Sequence, residues 1–228
     1  MYRVWLNFIL VPVWFLISAL GVDWALTRFE SNLNQLPDYI KESGPLIMGF
    51  GLISMFCFLL WSAKKDHFDL FKEGWYVRNN LILEIILGIG VGLTMAILYF
   101  AFFAKLQIDL QNYFGDYVST GQTASIYIKN PIIFAIVNIG LAPFIEESLF
   151  RSYLLKCLPQ HYNPYLRMFI SATGFGLLHW LGGGWYLLMT GYLVGFPLAF
   201  FAHKRKNIVF TFAAHTTLNL LEVIYFYF

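Results

Sequence analysis

Residues 131–151 read PIIFAIVNIGLAPFIEESLFR, and the fold turns on how that stretch is read. From Pro131 to Phe144 there is no charge; Glu146, Glu147 and Arg151 then fall within one short segment. Composition decides what kind of run this is. Of 228 residues, 59% are hydrophobic and only 12% charged, about half the charged share of a soluble domain. A surface so poor in charge does not stay in water, although length alone would allow one or two soluble domains. The run is a membrane helix, and its carboxylates sit where ionised groups are costly, by about 2.5–3.5 kcal/mol each on insertion scales.

Working outward, six further stretches approach the roughly 20 apolar residues that a span needs. The seven are Val4–Val22, Pro45–Ala63, Leu81–Ala104, Pro131–Leu158, Tyr165–Leu181, Trp185–Ala202 and Ile208–Phe228. The expected fold is all-α, a polytopic membrane bundle of about seven transmembrane helices with a four-helix catalytic core. It forms a single domain over 1–228, divided into N-terminal helices and outer loops (1–130) and a core (131–228). The first stretch is read as a span rather than a cleaved leader, because only a weak small-x-small site, Ala19-Leu20-Gly21, follows it. Two outer connections, Asp23–Gly44 and Lys105–Asn130, are long enough for short interfacial helices; Trp24, Phe29, Leu33 and Leu36 repeat at roughly helical spacing.

Charge placement gives the orientation. Arg3, Lys64, Lys65, Lys72, Arg78, Arg151, Lys156, Arg167, Lys204, Arg205 and Lys206 fall on one side, leaving Arg28, Lys41, Lys105 and Lys129 on the other. The positive-inside rule then sets the N-terminus in the cytoplasm and the C-terminus outside. A net charge of +2 and the absence of a basic, aromatic-interleaved patch argue against nucleic acid as a partner. No Gly-rich phosphate loop occurs, and Cys57 and Cys157 lack metal-type spacing, so they are read as reduced packing residues. The expected partners are the lipid bilayer and a membrane-associated protein or peptide.

Polar residues inside the spans are the functional candidates. Glu147 and Arg151 are four apart and share a helix face, so they form a pair; Glu146 lies about 100° around the cylinder, without that partner. His179 ends the run FGLLH within the fifth stretch, and His215 and Asn219 share a face of the seventh. With a rise of about 1.5 Å per residue, Glu146 and His179 lie roughly 18 and 21 Å from the inner ends of their helices, and His215 and Asn219 roughly 11 and 17 Å. Three helices therefore bring polar groups to a common depth. Glu222 and Glu84 are read as structural, and Asn138 as a candidate interhelical hydrogen-bonding residue. Pro143 removes a backbone donor beside the doublet and predicts a kink or local opening. Gly88 with Gly92 and Gly191 with Gly195 predict close helix approach.

One free carboxylate, two histidines and an amide suit water-mediated hydrolysis, with Glu146 as general base and later acid. His179 would help orient the water, and His215 and Asn219 would donate to the oxyanion. No Ser or Cys stands as an evident nucleophile, and the HExxH zinc signature is absent. A metal-free mechanism ranks ahead of zinc, for which Glu146, His179 and His215 would be the ligands.

At these residues the chain resembles the CPBP (CAAX protease and bacteriocin-processing, or Abi) intramembrane proteases, which include the Rce1-type prenyl-protein endopeptidases. The family pattern of EExxxR, FxxxH and HxxxN is met in order by Glu146-Glu147-Ser-Leu-Phe-Arg151, Phe175-Gly-Leu-Leu-His179 and His215-Thr-Thr-Leu-Asn219. The resemblance implies that Glu146 and His179 activate water, that His215 and Asn219 stabilise the oxyanion, and that Glu147, Arg151 and Phe175 support them. It leaves metal dependence and substrate open. The compact chain with short inner loops looks like a prokaryotic member, in the plasma membrane. Two other classes stay open here: a non-proteolytic membrane regulator or bacteriocin-immunity protein on the same fold, and a small transporter with these residues as an ion site.

Overall fold

The computed structural model describes residues 2–29, 36–78, 80–114, 131–180 and 183–227. Every apolar stretch in the sequence becomes helix: α1 (Tyr2–Phe29), α2 (Leu36–Lys65), α3 (Leu81–Phe114), α4 (Pro131–Cys157), α5 (Pro164–Leu178), α6 (Gly184–Arg205) and α7 (Val209–Tyr227). There is no strand among the described residues. Within α2 the segment Gly44–Lys65, and α3, α4 and α6 throughout, are long and apolar enough to cross a membrane.

The helix ends follow local chemistry. The Asn80 side chain caps α3 by accepting from the Leu83 N–H. Asn163 caps α5 in the same way through Tyr165 N, with Pro164 in the first helical position. The α6 N-cap is Gly183 at φ 94°, a backbone angle that L side chains rarely adopt.

Several expected boundaries shift. The helices α1 and α2 run on into the first outer connection, so Trp24 and Phe29 lie on α1 rather than on a separate headgroup helix. Leu36 opens α2, and Leu33 lies outside the described residues. Residues 105–114 likewise extend α3, and 115–130 are not described. The fifth helix ends before His179, which is its C-cap, instead of continuing to Leu181.

Backbone register supplies the other departure from plain α-helix. Stretches of i→i+5 turn interrupt α3 at Tyr99–Phe103, α4 at Ile136–Leu141 and Glu147–Leu154, and α6 at Thr190–Gly195. On α4 they flank Pro143, where the sequence predicts a local opening. Such turns recur at functional sites.

Small residues set the helix spacing. A Cβ on Gly88 would meet the Phe210 carbonyl and Ala213, and one on Gly92 would meet the Ala214 carbonyl and Thr217. The helices α3 and α7 therefore touch backbone to backbone. Gly176 and Gly191 do the same for α5 and α6. Polar clasps tie the bundle together: Asn7 donates to Ser62 at 2.9 Å between α1 and α2. Arg205 holds the buried Glu84 through two bonds of 2.9 and 2.6 Å between α6 and α3. That gives Glu84 the structural place expected of it.

Where α2 ends, Asp66 accepts from Arg3 of α1 at 2.5 Å and from the Tyr153 hydroxyl of α4 at 2.6 Å. Burial pushes the Asp66 carboxyl up, but the Tyr153 and Arg3 hydrogen bonds outweigh it and hold the group below its ordinary value.

A carboxyl with a lowered folded value contributes stability that is complete above its unfolded value and is lost as pH falls through the folded one. Thermal unfolding in detergent should therefore show the wild-type midpoint dropping more than that of an Asp66→Asn variant below about pH 4; equal drops would remove the pairing from the stability account. Gly92→Val should cost about 1–3 kcal/mol by overpacking the α3–α7 contact. Gly90→Val, at a position with open space around its Cβ, should leave the midpoint unchanged.

Candidate active site

The candidate residues lie on α4, α5 and α7, and His215 is the point where they meet. Its Nδ1 lies 3.0 Å from Glu147 Oε1, and its Nε2 lies 3.7 Å from Glu146 Oε2. The sequence spacing separates the two glutamates around a cylinder; here both reach one imidazole from opposite sides. Residues from Glu147 to Leu154 wind in the wider i→i+5 register, which turns less per residue than an α-helix and so brings neighbouring side chains closer in direction. Both carboxylates are buried, as is His215.

Glu147 and Arg151 do pair, at 3.4 Å, with both side chains fully buried. The guanidinium also donates to the Gly195 carbonyl of α6 at 3.2 Å and lies 4.2 Å from the centre of the Phe175 ring. Glu147 is thus held by a cation on one side and by His215 on the other, with Thr211, whose hydroxyl donates to the Ile208 carbonyl at 3.1 Å, as a further polar neighbour. Glu146 has no paired cation and only the 3.7 Å approach of His215. Its Oε2 is buried and accepts no hydrogen bond among the described residues.

Phe175 separates the histidines. Its ring centre lies 5.5 Å from that of His215 and 4.9 Å from that of His179. His179 caps α5, and its Nδ1 lies 2.8 Å from the Phe175 carbonyl. A carbonyl only accepts, so Nδ1 carries the proton and Nε2 of the neutral ring is left as the acceptor. The bond also satisfies one of the carbonyls that a helix C-terminus leaves open. Asn219, one turn beyond His215 on α7, donates through Nδ2 to the Asn138 carbonyl at 2.8 Å. The interhelical bond expected at Asn138 is therefore made by its backbone. Glu222 is half-buried farther along α7.

Sequence spacing brings out six of the seven candidates, and the resemblance adds Phe175, but neither gives their partners. The missed contributors are Thr211, the Gly195 and Asn138 carbonyls, and Tyr186, whose ring centre lies 6.0 Å from that of His179. Thr211 alone had a legible signal, since Thr211, His215 and Asn219 recur every four residues on one face of α7. For zinc, the fit is poor. Among the described residues no three His, Cys, Asp or Glu side chains are gathered to hold a metal ion.

Removing Arg151 would leave Glu147 as an uncompensated buried charge. Arg151→Ala should destabilise the protein by about 3–5 kcal/mol, read as a lower unfolding midpoint in detergent, and adding Glu147→Gln should recover part of the loss. A midpoint insensitive to Arg151→Ala would show that the pair is not what holds this region.

The site residues, from Asn138 to Asn219, lie inside a segment that matches a known family. No curated protein and no solved structure matches the chain. The match covers less than half of the chain and leaves α1, α2 and α3 outside it. It bears out the resemblance read from the three motifs. With four helices apolar enough to cross a bilayer, the chain is an integral membrane protein carrying a protease-family segment. Residues 128–221 match the Rce1-like family of type II CAAX prenyl endopeptidases.

Proposed function

We propose that the chain is an intramembrane endopeptidase that hydrolyses a peptide bond of a membrane-associated protein or peptide. The observation that carries this reading is the unequal state of the two buried glutamates around His215. Oε1 of Glu147 is engaged by Arg151 at 3.4 Å and by His215 at 3.0 Å, while Glu146 has only the looser 3.7 Å approach of His215 Nε2 and no paired cation; Oε2 of each is buried without a hydrogen-bond donor among the described residues.

In this reading Glu146 takes the proton from the attacking water and later delivers it to the leaving amine. His179, with its proton fixed on Nδ1, accepts from that water through Nε2 and helps aim it. Glu147 anchors His215 at Nδ1 and so directs Nε2 toward the reacting centre. Because Nδ1–H is engaged by Glu147, Nε2 donates to the forming oxyanion only when the ring carries both protons, so in this reading His215 acts as an imidazolium held between two carboxylates, with the Asn219 carboxamide as the second donor. Arg151 and Phe175 keep Glu147 and the two imidazoles in place.

We read α1, α5 and α7 as completing seven membrane helices, with the N-terminus in the cytoplasm and the C-terminus outside. The chain is one integral membrane unit: residues 131–228 hold the chemistry and 1–130 brace it. The distribution of lysine and arginine supports this orientation, and the compact architecture suits a prokaryotic plasma membrane.

The test is cleavage of membrane peptides, with and without a prenyl group, by purified protein in lipid. Glu146→Gln should lower the rate by about 10²–10⁴-fold while the unfolding midpoint stays near that of wild type. Full activity in that variant would remove Glu146 as the base, whereas a wild-type protein that cleaves no peptide would sink the hydrolase reading and favour a binding role such as a regulator or immunity protein.

A further inference from the structure

The i→i+5 turn of α4 over Ile136–Leu141 ends with the Ala142 N–H on the Val137 carbonyl, five residues back. In that register the Asn138 carbonyl is next in line, and its donor is the N–H of residue 143. Residue 143 is proline and has no N–H. In ordinary α register the donor would be Ala142, whose N–H is already directed at Val137. Both main-chain donors that the two registers could offer Asn138 are therefore accounted for. A carbonyl freed inside a membrane helix must find a donor outside its own ladder, and a neighbouring helix supplies one.

That partner is Asn219. Its Nδ2 lies 2.8 Å from the Asn138 oxygen, and its side chain is buried. Since a carbonyl only accepts, the bond fixes which way round the carboxamide sits, with its amino group toward α4. A carboxamide has two N–H groups in one plane. Anchoring the first fixes the direction of the second, one helical turn from His215 on the same face of α7.

We infer that Pro143 is a positioning residue: by withholding an N–H from Asn138 it creates the acceptor that orients the Asn219 carboxamide. The anchoring stands on geometry alone, whereas the use of the second N–H as an oxyanion donor rests on the hydrolase reading above. A donor held in place before the reaction stabilises developing charge without reorganising. This gives a reason for a proline inside a membrane helix, three residues before Glu146.

The test is a two-by-two set on the full chain in detergent: wild type, Pro143→Ala, Asn219→Ala and the double variant. Pro143→Val repeats the set with a bulkier side chain. Asn219→Ala should lower the unfolding midpoint in the wild-type background, where it strips Asn138 of its donor. In the Pro143→Ala background, where residue 143 carries an N–H, the drop should fall to less than half. Equal drops in both backgrounds would overturn the anchoring.

Activity on a membrane peptide supplies the second arm. Pro143→Ala should be at least as stable as wild type yet lose about tenfold in kcat, with KM within about twofold, and it should add nothing further when Asn219 is already Ala. A Pro143→Ala variant that loses stability and kcat together would make Pro143 an ordinary packing residue and overturn the inference. Midpoints are read without substrate, so a wild-type protein that cleaves no peptide overturns the hydrolase reading while the stability set still decides the anchoring.

Discussion

A guanidinium with no exposure to solvent is the constraint on which the rest of this structure depends. Arg151 cannot shed its charge and cannot reach water; Nη2 alone makes a hydrogen bond among the described residues, so the groups around it are held chiefly by its charge. It takes Glu147 on its own helix, the Gly195 carbonyl on α6 and the face of Phe175 on α5. Three helices are thereby held at one point. The fourth follows through Glu147, whose other face is occupied by His215 of α7. The cation also creates the asymmetry on which the chemistry rests. It has a close carboxylate in Glu147, and Glu146 stays outside that pairing.

The irregular backbone is the second half of the same arrangement. A membrane helix normally satisfies all its own polar groups and has nothing to offer a neighbour. Register changes on α4 break that self-sufficiency at chosen places. One lets adjacent glutamates reach the same imidazole, and the other frees the Asn138 carbonyl for Asn219. The α6 turn at Thr190–Gly195 lies where the Gly195 carbonyl accepts from Arg151. The wider turns thus coincide with points where backbone or side chains are enlisted by another helix. They are part of the site rather than defects in its supports.

This explains which features could be read from sequence. Helices are legible because apolar length dictates them, and the Glu147–Arg151 pair, His215 and Asn219 are legible because four-residue spacing puts them on one face. Close packing at Gly88, Gly92 and Gly191 is legible too, since only a missing side chain allows it. The double approach to His215 was not, because angles around an ideal α-cylinder do not apply across an i→i+5 turn. Nor were the Gly195 and Asn138 carbonyls, since every residue carries a carbonyl and its type does not tell which one is free. Pro143 was the one marker of such a carbonyl, and spacing rules read it only as a kink.

The N-terminal half, outside the family match, still reaches the site's supports. Trp75, in the connection from α2 to α3, stacks on Phe144 at 4.9 Å and donates to Ser148 at 3.1 Å, on either side of the glutamate pair. Gly74 sits so close to Ser152 that a Cβ would collide with it, and its carbonyl accepts from Ile208 N at the start of α7. Asp66 reaches Tyr153 one turn farther along α4. A single connection therefore grips both helices that present catalytic candidates to each other, α4 and α7. The distance between Glu146 and His215 is set partly by residues that no catalytic motif contains. A chain cut back to residues 128–221 would keep every motif and lose that grip.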